Sequence, residues 1–286
     1  SSASRTAAST AAKSVTSIAF SDLTDKFRVG FHRLSNSPAS DFVTLADFKG
    51  GAGNQRETWY GKLLGVSIPM GNATPLLDGA VRIGEWFKST SGTSAELTGS
   101  TNPINLSCQK NYHIMFTDGY TNQPAKPSVT VGNIDGSVIP TLPEDISLIH
   151  KPGDPWPLRY REGATAVDDS LADYAMSYWL TDLRPTATFD KEFAENNVPT
   201  TTNDPASWQH LNFAALSLGT EGILPSRNVS GVEAKIAAGT LAWTTPTPNV
   251  YRPGTTGVDD LWHAAVVGRS QFVNARDPAE LQAGMA

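Results

Sequence analysis

Apolar residues recur along this chain at helical and strand intervals in alternation. Residues 5–20 space Ala8, Ala12, Val15 and Ala19 about one helical turn apart, with small polar residues between them, which predicts an amphipathic first helix. Phe27-Arg28-Val29-Gly30-Phe31-His32-Arg33-Leu34 alternates apolar and polar and predicts a strand, and 42–48 reads as a short edge strand. Trp59, Tyr60, Leu63 and Leu64 give 55–64 a helical stripe. Thr74-Pro75 then opens a helix reaching Lys88. Thr is a good cap, Pro suits the first turn, and Leu76, Leu77, Ala80, Val81 and Trp86 continue the stripe. Tyr112 to Phe116 is an apolar run ending in Thr117-Asp118-Gly119, the pattern of a buried parallel strand.

Residues 120–167 are rich in Pro and Gly and read as an insertion with a short hairpin around Asp135-Gly136. Helical spacing returns over 170–183 and is stopped by Arg184-Pro185. A strand over 211–218, a helix over 258–266 and a strand over 271–274 follow. Asp277-Pro278-Ala279-Glu280 starts a last helix from about 277. Together these elements predict one domain over 1–286. Its class is α/β, a doubly wound, mostly parallel sheet with helices on both faces. Ligands of such sheets bind beyond the carboxyl ends of the strands, where this order places both Thr74 and Asp118.

Composition narrows the function. Charged residues make up 17% of the 286, the formal net charge is −6, and no Lys/Arg cluster stands ready for phosphates, so nucleic acid is excluded as a partner. No run approaches the ~18 apolar residues of a membrane-spanning helix. Cys108 is alone, leaving two readings, a buried thiol or a bridge to a segment outside this chain. Abundant Ser and Thr with scarce Lys suit an extracellular surface.

Thr74 and Asp118 resemble two of the three metal-site loops of a von Willebrand factor A domain, whose third loop, Asp-x-Ser-x-Ser, is absent here. Ser2 and Ser4 have the serine spacing but no preceding acid. The ordered set Phe27-Arg28-Val29-Gly30-Phe31, Gly71-Asn72-Ala73-Thr74-Pro75-Leu76, Tyr112-His113-Ile114-Met115-Phe116-Thr117-Asp118-Gly119, Thr181-Asp182-Leu183-Arg184-Pro185, Trp208-Gln209-His210 and Asp259-Asp260-Leu261-Trp262-His263-Ala264-Ala265 is more specific. It resembles the N-terminal region of PilY-type proteins, pilus biogenesis factors and tip adhesins. That resemblance covers nearly the whole chain.

The resemblance implies an A-like domain at the pilus tip or cell surface, associated with the outer membrane. Its implied partners are pilins, other tip proteins and a host or surface receptor. It also implies a first strand and metal loop upstream of residue 1, which would leave the sheet short of a central strand. Mg²⁺ or Ca²⁺ would be held through Thr74 and Asp118, weakly or not at all without the third loop. The alternative is a metal-free structural module packing against pilins or an absent propeller domain.

Enzyme chemistry finds little support in the residues. No Gly-x-Ser-x-Gly elbow and no Gly-x-x-x-x-Gly-Lys loop occurs, leaving a hydrolase on a doubly wound sheet as a distant alternative. The five histidines lack metal spacing and read as packed, hydrogen-bonded groups. Asp168-Asp169 and Asp259-Asp260 precede helices and read as caps. Trp156, Trp243 and Tyr251 lie in Pro-rich loops, where aromatics pin a loop to the body.

Overall fold

The structure, a computed structural model, describes residues 2–34, 42–66, 74–89, 102–117, 121–122, 126–165, 167–246, 256–275, 279–280 and 283. Helix α1 (Ser2–Ser21), strands β1 (Arg28–Phe31) and β2 (Val43–Asp47) and helix α2 (Gln55–Gly65) form an N-terminal layer. The two strands pair antiparallel as a sheet of their own. Val29, Phe48, Trp59 and Leu63 make its core. Phe20 of α1 stacks on Trp59 at 4.6 Å between ring centroids, and the Trp59 Nε1 donates to Gly30 O at 3.1 Å. Arg28 then fastens this layer to the rest by donating to Pro103 O at 2.7 Å.

The main layer begins with α3 (Leu76–Lys88) and β3 (Asn111–Thr117). It continues through α4 (Leu171–Leu180), the short α5 (Lys191–Ala194) and β4 (Leu211–Ser217), then α6 (Val229–Ala237), α7 (Thr256–Val267) and β5 (Arg269–Asn274). The three strands pair parallel in the order β3-β4-β5, so among the described residues β4 is central and β3 is an edge. Central β4 is buried at six of its seven positions, in keeping with its near-continuous apolar run. Leu76 and Ala80 of α3, Trp179 of α4 and Trp262 of α7 share one core with Met115, Phe213, Ala215 and Phe272 from one face of the sheet. Trp262 stacks on Phe272 at 5.2 Å. Fully burying such side chains stabilises the fold by roughly 1.5–3 kcal/mol each.

The opposite face differs from expectation. Phe116, Leu216 and Val273 lie in one row across it, forming a small cluster with Leu218 and Ala275. Tyr112 and Ile114 on the same face of β3 are 52% and 48% exposed. Among the described residues the core helices therefore cover one face, not two. The sheet is α/β and parallel as its apolar runs indicated, while β1 and β2 stay outside it.

Helix α4 owes its position to burial nearly all round, from Leu171 to Trp179, which marks a core helix rather than an amphipathic one. It crosses α3 closely because Gly84 has no side chain: a Cβ there would land inside the Tyr178 ring. Gly84→Val is expected to lower the unfolding free energy by about 1–3 kcal/mol through overpacking. A urea titration with an unchanged midpoint would show that the two helices can move apart freely.

Several local expectations are corrected. Pro75, not Thr74, occupies the cap position of α3, and no side chain caps it. Helix α4 ends at Leu180, before Arg184-Pro185. No hairpin forms around Asp135-Gly136; an isolated bridge joins Val138 to Pro155 instead. Cys108 is exposed, not a buried thiol. Of the last helix, Ala279, Glu280 and Ala283 are helical, and its other residues lie outside the described set. Helices α5 and α6 were not anticipated.

Candidate functional site

The carboxyl ends of the three parallel strands carry a polar row. Thr117, Ser217 and Asn274 are in register across β3, β4 and β5, where the apolar run of each strand gives out. Asn274 is fully engaged: its Nδ2 donates to Thr220 O at 3.0 Å and Ser226 Oγ at 2.6 Å, and its Oδ1 accepts from Gly219 N at 2.9 Å. Ser217 is wholly buried, and its Oγ has no hydrogen-bond partner.

Thr74 lies beside this end. Its carbonyl accepts from Leu76 N and from Asn122 N, each at 3.0 Å, and from Thr121 Oγ1 at 3.4 Å. The chain leaving β3 thus returns to the residue that enters α3. That commitment of the Thr74 backbone explains why the helix starts one residue later than its capping chemistry suggested. Asp118 lies outside the described residues. Asp78, in the first turn of α3, has its carboxyl raised by burial, with Arg82 partly offsetting the shift.

Apart from the Asp78 carboxyl, the oxygens described here are neutral hydroxyls and carbonyls, and among the described residues no three His, Cys, Asp or Glu side chains converge as a metal site. Hard cations prefer several oxygen ligands, carboxylates among them. The described donors alone therefore do not make a cation cage.

Of the two acidic pairs, Asp260 caps a helix, though not its own, while Asp259 and Asp169 hold loop amides instead of capping. Asp260 accepts from Leu171 N at 3.0 Å and Ala172 N at 3.1 Å, capping α4 from α7. Burial raises its carboxyl to about 7, with those two hydrogen bonds opposing the shift. Asp259 accepts from Ile223 N, Leu224 N and the Thr244 hydroxyl, tying two loops to α7. Asp169 adopts φ 60° and accepts from Val131 N at 2.7 Å and Gly132 N at 2.9 Å. Ser170 caps α4 in a reciprocal box with Asp173, at the Ser-x-x-Asp spacing of a capping box.

The histidines are packed. His210 directs Nδ1 to Trp208 O at 2.7 Å and Nε2 to Asp204 at 3.0 Å, so neither nitrogen is left to activate a nucleophile. His150 lies 3.2 Å from a nitrogen of Arg269, whose guanidinium is centred 3.6 Å from the Tyr160 ring and 4.1 Å from that of Trp179. His263 stacks on Trp243 at 4.5 Å, and His113 and His32 sit against Phe213 and Phe42. Trp156 and Trp243 are buried, pinning their loops; Tyr251 lies outside the described residues.

Known proteins resemble the whole chain. It is 32% identical over 297 residues to the type IV pilus biogenesis factor PilY1 of Pseudomonas aeruginosa strain PAK, covering 96% of this chain and 24% of that protein. The PilY1 of strain PAO1 matches at 32% over 300 residues with the same coverage, and that of strain UCBPP-PA14 at 32% over 232 residues. The chain spans about a quarter of the length of these first two curated relatives. No protein-family model and no solved structure matches it. No described helix is long and apolar enough to cross a membrane.

Proposed function

The chain belongs to the PilY-type type IV pilus biogenesis factors, and from that premise we propose that it is their A-like adhesion and assembly module, binding rather than catalysing. The observation that carries the reading is the tie between Thr74 and Asn122. It joins the residue that leads into α3 to the chain that follows β3, and strand ends of this kind are where parallel sheets bind ligands. That face is the contact surface for pilins, other tip proteins or a surface receptor, displayed at the pilus tip or outer surface. Thr74 and Asp118 contribute there to a Mg²⁺ or Ca²⁺ site. The relatives are named as biogenesis factors, not enzymes, in keeping with a binding role.

A second reading, the metal-free packing module, draws on the half-exposed Tyr112 and Ile114 of β3. An apolar face next to a strand edge that is unpaired among the described residues suits addition of further chain.

One experiment separates them. Mg²⁺ or Ca²⁺ titrated into the protein with its native flanking sequence is expected to raise Tm, equivalent to about 2.7 kcal/mol at a hundredfold excess over Kd. Asp118→Ala should abolish the rise and reduce piliation or attachment. No rise, or one that survives Asp118→Ala, would leave the metal-free module standing.

A further inference from the structure

The turn over 144–150 is fixed at its base and apolar at its tip. Asp145 Oδ1 accepts from Ser147 N at 2.9 Å, and Ile146 O accepts from Ile149 N at 2.8 Å and His150 N at 2.9 Å, closing the turn. His150, next in the chain, is buried, its ring packed against Trp156, Tyr160 and Trp179 with centroids 5.2, 5.8 and 6.1 Å away. The main core thus anchors this turn. Even so, Leu148 is fully exposed and Ile149 half-exposed.

A second loop faces the turn. Asn196 Nδ2 donates to Glu144 Oε1 at 2.7 Å, while Thr201 folds back on Asp204, its N donating to Asp204 O at 2.8 Å and its Oγ1 accepting from Asp204 N at 3.0 Å. Between the two lies an open pocket of about 320 Å³, lined by 145–149 and by Thr200, Thr201 and Pro205. It sits at the amino ends of the strands, where Asn212 of β4 donates to Asp204 at 3.1 Å and Asn203 donates to the carbonyl of Arg269 in β5 at 3.2 Å. That is the opposite end of the sheet from Thr117, Ser217 and Asn274.

The charge beside the pocket is mostly of one sign. Glu144 and Asp145 are exposed, and among the described residues neither is paired with a lysine or arginine. Hydrogen bonds from Ser147 hold the Asp145 carboxyl below its ordinary range, so it stays charged. The field of Glu144 reaches Asp182, and Asp154 is exposed on the same segment as the turn, against one exposed base, Lys151.

We propose that this turn and pocket form a docking site for a polypeptide segment that presents a bulky apolar side chain beside lysines or arginines. Leu148 and Ile149 grip the apolar side chain, and Glu144 and Asp145 select the basic flanks. Because the knob and pocket are already held in shape, a binder is spared the entropy of ordering them. A second copy of this chain fits poorly, since a two-fold contact through the turn would set Glu144 and Asp145 against their own counterparts.

Peptides with a central leucine between paired lysines test this by NMR titration of the ¹⁵N-labelled protein. Two controls replace the leucine by serine or the lysines by glutamates. The lysine–leucine peptide should shift the amides of 144–150 and 196–201 and bind about tenfold more tightly than either control. Leu148→Ser, at a fully exposed position, should weaken that binding about tenfold. Glu144→Gln combined with Asp145→Asn keeps the hydrogen-bonding oxygens of the turn and should erase the preference for lysine flanks. Equal binding of the three peptides, no binding at millimolar peptide, shifts confined to other regions, or an affinity unchanged by Leu148→Ser overturns the proposal. So does a wild-type dimer in sedimentation that Leu148→Ser dissociates, which would assign the knob to a second copy.

Discussion

Asp204→Ala is expected to lower the unfolding free energy by about 3–5 kcal/mol, the cost of removing one partner from a buried, charge-bearing network. Asp204 accepts from Trp179 Nε1 at 2.8 Å, His210 Nε2 at 3.0 Å and Asn212 Nδ2 at 3.1 Å. It thereby joins α4 to the start of β4, and its own amide is held by Thr201 Oγ1 at 3.0 Å. Alanine would strand three buried donors at once. Asparagine keeps one acceptor oxygen, and a loss of roughly 1–3 kcal/mol is expected for it.

The same network has a pH signature. Burial raises the Asp204 carboxyl, but the hydrogen bond and charge of His210, with the donors of Trp179 and Asn212, outweigh it and hold the group below its ordinary 3.8. A depressed folded-state value means the stabilisation is complete above the unfolded value and is lost as pH falls through the folded one. Acid unfolding followed by tryptophan fluorescence should therefore be less steep in Asp204→Ala than in the wild type. Identical acid slopes, or a loss at neutral pH under about 1 kcal/mol, would remove Asp204 from the centre of this joint.

Periodicity made the strands over 43–47, 111–117 and 211–217 and the helices over 55–65 and 76–88 legible, because each declares its buried positions within a few residues. Helix α6 escaped since Val229, Val232 and Ile236 are only three apolar positions, separated by Ser230, Gly231, Glu233, Ala234 and Lys235, a weak stripe on its own. The acids at 259 and 260 were recognised as capping residues, yet the amides that Asp260 serves lie 88 and 89 positions earlier, beyond any local rule. That Thr74 leads into α3 was readable from element order. The bond from Asn122 that shifts the start of α3 was not, since it depends on how the chain returns after β3.

Arg184 is the other residue whose removal should approach unfolding. It was legible only as part of an Arg-Pro stop for a helix, whereas in the structure it closes a different one. The side chain is 0% exposed and donates to Phe87 O at 2.6 Å, Leu183 O at 2.5 Å, Ser89 O at 3.3 Å and Asn102 Oδ1. Phe87 and Ser89 carry carbonyls at the end of α3, where the helix leaves acceptors unpaired and its dipole favours a cation. The guanidinium also lies over Phe189 at 4.7 Å. Arg184→Ala is therefore expected to cost about 3–5 kcal/mol by leaving several buried carbonyls without donors. Arg184→Lys keeps the charge but not the planar fork that reaches carbonyls on both sides, so roughly 1–3 kcal/mol should still be lost. Because α3 leads out of the Thr74 turn, the alanine variant should also speed hydrogen exchange through 76–88 ahead of β4. Denaturant midpoints that match the wild type, or exchange confined to 184–189, would show that α3 closes its own end without this arginine.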